Sequence, residues 1–303
     1  MIRYFALGVN NYFANVQRPQ TPLICTTMST IALNKLVTVC IDIARTAGRE
    51  IKRIYEQVGQ GDVSYKDDKT PLTEADLASH RIIYDALQQL TPDVPVLSEE
   101  GELPSYAQRQ QWTSYWLVDP LDGTREFIDR TGEFCVNIAM VEDHEAVLGV
   151  IYSPLQDILY YACQCGGAFK VVGAAAPQPI MTHKIDSDII RVTTSRRHGL
   201  DSLQRYLPEL KDDDILQLGS ALKIGLIAEG GADLYPRTGP TSEWDTAAGQ
   251  CIITEAGGAL LDFNGQSLRY NDKDSVLNPY FIAIGDPTYE WQTILQRGDN
   301  HGK

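Results

Sequence analysis

Two apolar stretches of this chain run straight into carboxylates, and a third acid opens a helix. Leu97-Ser98-Glu99-Glu100 closes the first stretch, and Trp116-Leu-Val-Asp119-Pro120-Leu121-Asp122-Gly123-Thr124 closes the second. Ser242-Glu243-Trp244-Asp245 supplies the third acid. Acids placed this way start from the core rather than from a solvated face. They fall at strand ends, where layered α/β folds hold their ligands. Gathered there, they would repel one another and take up protons unless cations sat between them. All-oxygen ligation suits Mg²⁺, Mn²⁺ or Ca²⁺ rather than zinc.

The rest of the pattern fits a layered architecture. An amphipathic helix starts from Thr30 as N-cap and carries Leu36, Val39, Cys40, Ile43, Ala47, Ile51, Ile54 and Tyr55 to about Gly59. Thr73-Glu74-Ala75-Asp76 has capping-box spacing and opens a second helix through Ala78, Ile82, Ile83, Ala86, Leu87 and Leu90. Strands follow near 94–98, 115–119, 134–141, 147–152, 158–163 and 168–172 at hairpin-like intervals. Residues 173–188 are small and polar and make the best subdomain boundary. Beyond them strands (189–195, 259–263, 281–285) mix with helices (200–210, 220–229, 243–256). The expected organisation is an N-terminal α+β subdomain over 28–172 and a C-terminal α/β subdomain over 189–290.

The D-P-L-D-G-T segment suits a metal and phosphate site. Asp119 and Asp122 lie three apart on what reads as a turn stiffened by Pro120, so both can face one metal pair, joined by the Leu121 carbonyl. Gly123 permits close backbone approach, and the Gly123 and Thr124 N–H groups at a helix start would receive a phosphate. Should Glu99, Asp119, Asp122 and Asp245 converge, their charges balance two divalent cations, the layout of two-metal phosphate ester hydrolysis. Taken singly, Asp122-Gly123 reads as a turn, Asp245 as an N-cap and Ser98-Glu99-Glu100 as a solvated edge. A glycosidase built on Glu99 or Glu100 with Asp119 stays open, although it would need neither Asp122 nor Asp245. No Ser-His-Asp arrangement suggests itself, and no P-loop or dinucleotide fingerprint occurs.

Composition narrows the partners. Forty acidic against twenty-six basic residues give a formal charge of −14, which argues against a general nucleic-acid or anionic-membrane binder. No apolar run is long enough to span a membrane. Cysteines at 25, 40, 135, 163, 165 and 251 read as reduced, mostly buried thiols of a cytoplasmic protein. Residues 1–27 read as a disordered extension, with Met28 as a natural start. Nothing in the sequence reads on oligomeric state.

LSEE, WLVDPLDGT and WDTAAG together resemble the signatures of the inositol monophosphatase-like, lithium-sensitive phosphatase superfamily. TPDVPVLSEE, YWLVDPLDGTREFI, GEFCVNIA and LYPRTGPTSEWDTAAG resemble most closely its branch acting on 3′(2′),5′-bisphosphate nucleotides. The resemblance runs from about Met28 to about Ile284. It implies an αβαβα layered sandwich with the site between the subdomains. By motif it implies Glu99, Asp119, the Leu121 carbonyl, Asp122 and Asp245 as ligands of two or three Mg²⁺ ions, with Mn²⁺ as a substitute. It implies that Asp76 and Thr124 help Glu99 orient and deprotonate the attacking water, and that Gly123 and Thr124 hold the phosphate. The implied reaction removes the 3′-phosphate of adenosine 3′,5′-bisphosphate, with 3′-phosphoadenosine phosphosulfate as a second substrate and a role in sulfur metabolism. Some relatives sit peripherally at the inner membrane, which no residue here explains.

A bisphosphate needs cations away from the metals. The resemblance makes Ser195, His198, Ser220, Lys223 and Arg237 the nucleotide contacts, with Asp245 also touching substrate; taken alone, each cation reads as a surface residue. Arg196-Arg197 and Ser242-Glu243 stand where related chains vary. Two alternatives remain: an inositol or sugar monophosphatase on the same scaffold, and a non-catalytic nucleotide sensor, for which loss of a ligand or of Thr124 would be expected.

Overall fold

The computed structural model describes residues 29–57, 64–65, 71–72, 74–186, 189–195 and 215–291. Helices α1 (Thr30–Gln57) and α2 (Glu74–Leu90) flank a small hairpin of β1 (Ser64–Tyr65) and β2 (Pro71–Leu72). The chain then enters a seven-stranded sheet, ordered β3-β4-β5-β6-β7-β8-β9. Its strands are β3 (Val96–Ser98), β4 (Ser114–Asp122), β5 (Cys135–Glu142), β6 (Glu145–Ser153), β7 (Ile158–Cys163), β8 (Gly167–Val172) and β9 (Gln178–Ile180). Within this sheet, among the described residues, only β3 and β4 pair in parallel; their crossover holds α3 (Tyr106–Arg109).

Both faces of this sheet are covered, which explains why its strands read as nearly continuous apolar runs. Trp116, Val118, Val136, Ile138, Met140 and Leu148 pack under α1 and α2. The alternate residues Tyr115, Leu117, Ala139, Val141, Ile151 and Ala162 pack against helices α5 (Leu222–Ala228) and α6 (Ala247–Glu255). Below those helices lies a five-stranded sheet, ordered β11-β10-β12-β14-β13. It is built from β10 (Val192–Thr194), β11 (Ile215–Gln217), β12 (Leu234–Arg237), β13 (Ala259–Asp262) and β14 (Phe281–Ile284). A third apolar cluster of Val192, Leu234, Leu261, Ile282, Ile284 and Trp291 lines its other face. The described layers therefore run helix, sheet, helix, sheet, and the expected helix at 200–210 lies outside the described residues. Among the described residues no helix is long and apolar enough to cross a membrane.

Several local expectations change. Ser29, not Thr30, caps α1: the Ala32 N–H donates to Ser29 Oγ at 3.3 Å. The helix expected over 243–256 is a 3₁₀ turn (Glu243–Asp245) followed by α6, broken at Thr246, whose ψ of −28° comes with a φ of −122°. The D-P-L-D segment is not a turn but the end of β4. Asp119 pairs with Asn137 and Asp122 with Cys135, so one extra residue is absorbed as a bulge. Residues 173–188 include β9, which adds an edge strand to the first sheet.

Candidate active site

The bulge decides how β4 presents its chemistry. Leu121 donates its N–H to Asp119 Oδ1 at 3.0 Å, and its carbonyl accepts the Thr124 hydroxyl at 3.3 Å. Gly123 follows at φ 93°, and a Cβ there would stand 3.3 Å from the Glu133 carbonyl and from Phe134 Cα. Only glycine takes that geometry cheaply. The short helix α4 (Thr124–Ile128) starts immediately after, with the Phe127 N–H donating to the Gly123 carbonyl at 3.0 Å.

The acids meet around Asp119, which is 2% exposed. Burial raises its pKa well above the ordinary carboxylate range, and the charges of Glu99, Asp122, Asp245 and Asp76 raise it further. Asp76 is buried on α2, and Glu99 is exposed on the turn after β3, its N–H donating to the Val118 carbonyl at 3.1 Å. Asp245 ends the 3₁₀ turn, where its Oδ2 accepts the Ser242 N–H at 2.9 Å. Its pKa is also raised, by burial first and then by Asp122. Asp122 is raised by burial too, while Lys223, the Ala221 N–H and Asn137 pull it back.

Among the described residues no three His, Cys, Asp or Glu side chains stand as a closed metal-binding group. The donor set fits a divalent cation all the same. All its members are oxygens, they strain one another electrostatically, and each aspartate on the two strand and turn ends has one oxygen engaged by the protein. Asp119 uses Oδ1, Asp122 uses Oδ2 toward Ala221 N at 2.6 Å and Asn137 Nδ2 at 3.2 Å, and Asp245 uses Oδ2. Among the described residues, no hydrogen bond falls on their second oxygens.

The expected anion contacts are placed less uniformly. Lys223 is 4% exposed, and its Nζ donates to the carbonyls of Ser220 at 2.6 Å and Leu218 at 3.2 Å. It lies over the Tyr235 ring at 5.2 Å, and burial pulls its pKa down to about 8. Lys223 thus closes a turn in which Ser220 holds φ 52°. Arg237 is half-buried on β12, with Nη2 donating to the Pro240 carbonyl at 3.2 Å and its buried Nε unpartnered. Ser195 ends just beyond β10 with a buried, unpartnered hydroxyl. His198 lies outside the described residues.

Two participants were not singled out from sequence. Asn137 is 1% exposed and steadies Asp122; a lone amide in the apolar run CVNIAMV was its signal. Glu133 accepts the Gly219 N–H at 2.9 Å, tying α4's loop to the Ser220 turn, and nothing in its spacing marks it.

The inositol monophosphatase family profile matches residues 32–294. The 3′(2′),5′-bisphosphate nucleotidase CysQ of Salmonella typhimurium is 46% identical over 243 residues, covering 80% of this chain and 96% of that protein. The CysQ of Haemophilus influenzae is 37% identical, covering 84% and 94%. Among solved structures, CysQ from Bacteroides thetaiotaomicron, described as a bacterial member of the inositol monophosphatase family, superposes with a TM-score of 0.71 at 39% identity, over 83% of this chain and 97% of that one. A Thermotoga maritima IMPase gives 0.70 at 25% identity, over 88% and 97%. Phosphatases of this family generally depend on a divalent metal. With the profile spanning both sheets and the carboxylates that join them, this chain belongs to the inositol monophosphatase family.

Proposed function

We propose that this chain is a magnesium-dependent 3′(2′),5′-bisphosphate nucleotidase that hydrolyses adenosine 3′,5′-bisphosphate to AMP and phosphate, and 3′-phosphoadenosine phosphosulfate as a second substrate. The observation that carries this reading is the joint presence of the strained carboxylate group around Asp119 and 46% identity to a protein of that activity over nearly its whole length. Glu99, Asp119, the Leu121 carbonyl, Asp122 and Asp245 would hold the cations, whose bound charge supplies Lewis acidity toward phosphoryl and water oxygens. Gly123 and Thr124 receive the phosphate. Asp76 and Thr124 orient the attacking water with Glu99, which takes its proton. Ser195, Ser220 and Arg237 would contact the nucleotide, as His198 is expected to from the resemblance, while Lys223 acts through the Ser220 turn that it closes.

A second reading, an inositol or sugar monophosphatase, draws support from that same engagement of Lys223 by two carbonyls, which thins the cations offered to a second phosphate. Phosphate release from adenosine 3′,5′-bisphosphate beside inositol 1-phosphate separates the two. The expected result is magnesium-dependent, lithium-sensitive release that prefers the nucleotide. Preference for the inositol phosphate would overturn the substrate, and release without metal would overturn the site.

A further inference from the structure

We infer that Ser79 and His80, neighbours on α2, are positioning residues that hold the ends of β4 and β3 in register with each other. Ser79 is fully buried, and its hydroxyl donates to the Pro120 carbonyl at 2.7 Å. Pro120 lies inside the bulge of β4, where the regular ladder to β5 lapses between Asp119 and Asp122. A carbonyl freed from a ladder and buried needs a donor from elsewhere, and a serine hydroxyl can donate to a carbonyl without competing as an acceptor. By fixing the Pro120 carbonyl toward α2, Ser79 fixes the peptide that follows, so that the Leu121 carbonyl meets Thr124 instead.

His80 does the matching work on the parallel neighbour. Its Nδ1 shares a hydrogen bond of 2.8 Å with Ser98 Oγ, and Ser98 is the last residue of β3, paired with Val118. The following residue is Glu99. Gly101 closes this turn with its N–H on the Ser98 carbonyl at 3.0 Å, and a Cβ there would stand 3.6 Å from His80 Cε1, so the imidazole packs against the turn as well as bonding to it. Asp76 sits one helical turn before His80, on the same side of α2. One helix face therefore sets the spacing among Asp76, Glu99 and the Asp119–Asp122 bulge, although neither Ser79 nor His80 is one of the proposed ligands or phosphate contacts.

This inference rests on the proposed metal site. Three variants test it in the full chain: Ser79→Ala, His80→Ala and His80→Asn, the last keeping an amide nitrogen near the place of Nδ1. Mn²⁺ binding without substrate, followed by electron paramagnetic resonance, is read beside kcat, KM and thermal unfolding. The two alanine variants should bind Mn²⁺ and turn over about 10- to 100-fold less well, the range for residues that orient a ligand without being one. KM should change less than kcat, and His80→Asn should recover most of the loss. Variants with wild-type Mn²⁺ binding and kcat would overturn the role. So would losses that merely follow a fall in unfolding temperature and are not recovered by His80→Asn. A wild-type chain that neither binds Mn²⁺ nor turns over with metal would overturn the proposed function itself, and this role with it.

Discussion

Burial is the main force raising the pKa of Asp119, and the charges of Glu99, Asp122, Asp245 and Asp76 add to it, so its folded pKa lies above its unfolded one. Such a group favours the folded state below its ordinary pKa and opposes it as pH rises through the folded value. Without divalent metal, Asp119→Asn should therefore melt above the wild type near about pH 8, with the gap closing toward about pH 4, where an ordinary aspartate is half protonated. With magnesium the same variant should lose more than about 100-fold in kcat, beyond the range of a merely supporting residue. Melting curves in chelator across pH and phosphate release check the two halves; an Asn variant melting at or below the wild type near about pH 8 would mean that the ionised carboxylate is not strained. Glu99, Asp119 and Asp122 were legible because apolar sequence leads into them, and Asp76 and Asp245 because they open helices. Their partners were not, since those arrive from distant sequence. Glu243 is wholly buried and turned to the Asn271 N–H at 2.7 Å and Lys273 Nζ at 3.1 Å. No local spacing tells that carboxylate from Asp245 two residues on.

Helix α6 sits so close to β6 that a Cβ on Gly149 would lie 2.2 Å from the Ala248 carbonyl. That neighbour is backbone, so no rotamer change relieves the clash, and Gly149→Ala must displace the helix. Overpacking of this kind costs about 1–3 kcal/mol. Because Asp245 enters α6 through the single residue Thr246, the displacement should also raise the magnesium concentration for half-maximal rate. Urea unfolding and a magnesium titration of turnover would check this; lost stability with an unchanged magnesium requirement would separate α6 from the site. Periodicity placed α1, α2 and most of the strands it expected to within a residue or two, because each buries one regular face or both, but it gave no sign of β1, β2, β9, β11 or β12. It failed where tertiary contacts interrupt a regular pattern. The run WDTAAGQCIITEA reads as part of one continuous helix, yet Asn278 Nδ2 donates to the Ser242 carbonyl and, at 3.0 Å, to Thr246 Oγ1, favouring a separate 3₁₀ turn. Pro120 and two aspartates suggested a turn, but the partner strand β5 lies opposite them as far as Cys135, its first residue, and β4 follows it with a bulge.

The proposed site residues come from separate layers: the water-orienting Asp76 from the outer helices, the ligands Glu99, Asp119 and Asp122 from the first sheet and the turn after β3, and the ligand Asp245 from the lead into α6 between the sheets. The protein already stitches these layers at the rim. Arg109 on α3 is 1% exposed and donates to Asn271 Oδ1 and, at 3.1 Å, to the Lys273 carbonyl. Asp122 and Glu133 accept N–H groups from Ala221 and Gly219. At the centre of the seam, however, the layers meet through like charges, and a cation held by both sides would replace repulsion with attraction. Binding to the folded chain alone stabilises it by about 2.7 kcal/mol at 100 times Kd. For a chain of this size that is roughly 5 °C in Tm. Magnesium should therefore raise Tm by about 5 °C, and Asp245→Asn should lose most of that rise while leaving the rim contacts in place. Differential scanning calorimetry with and without magnesium reads both. An equal rise in the wild type and in Asp245→Asn would mean that the cations bind the first sheet alone, leaving the seam to hydrogen bonds.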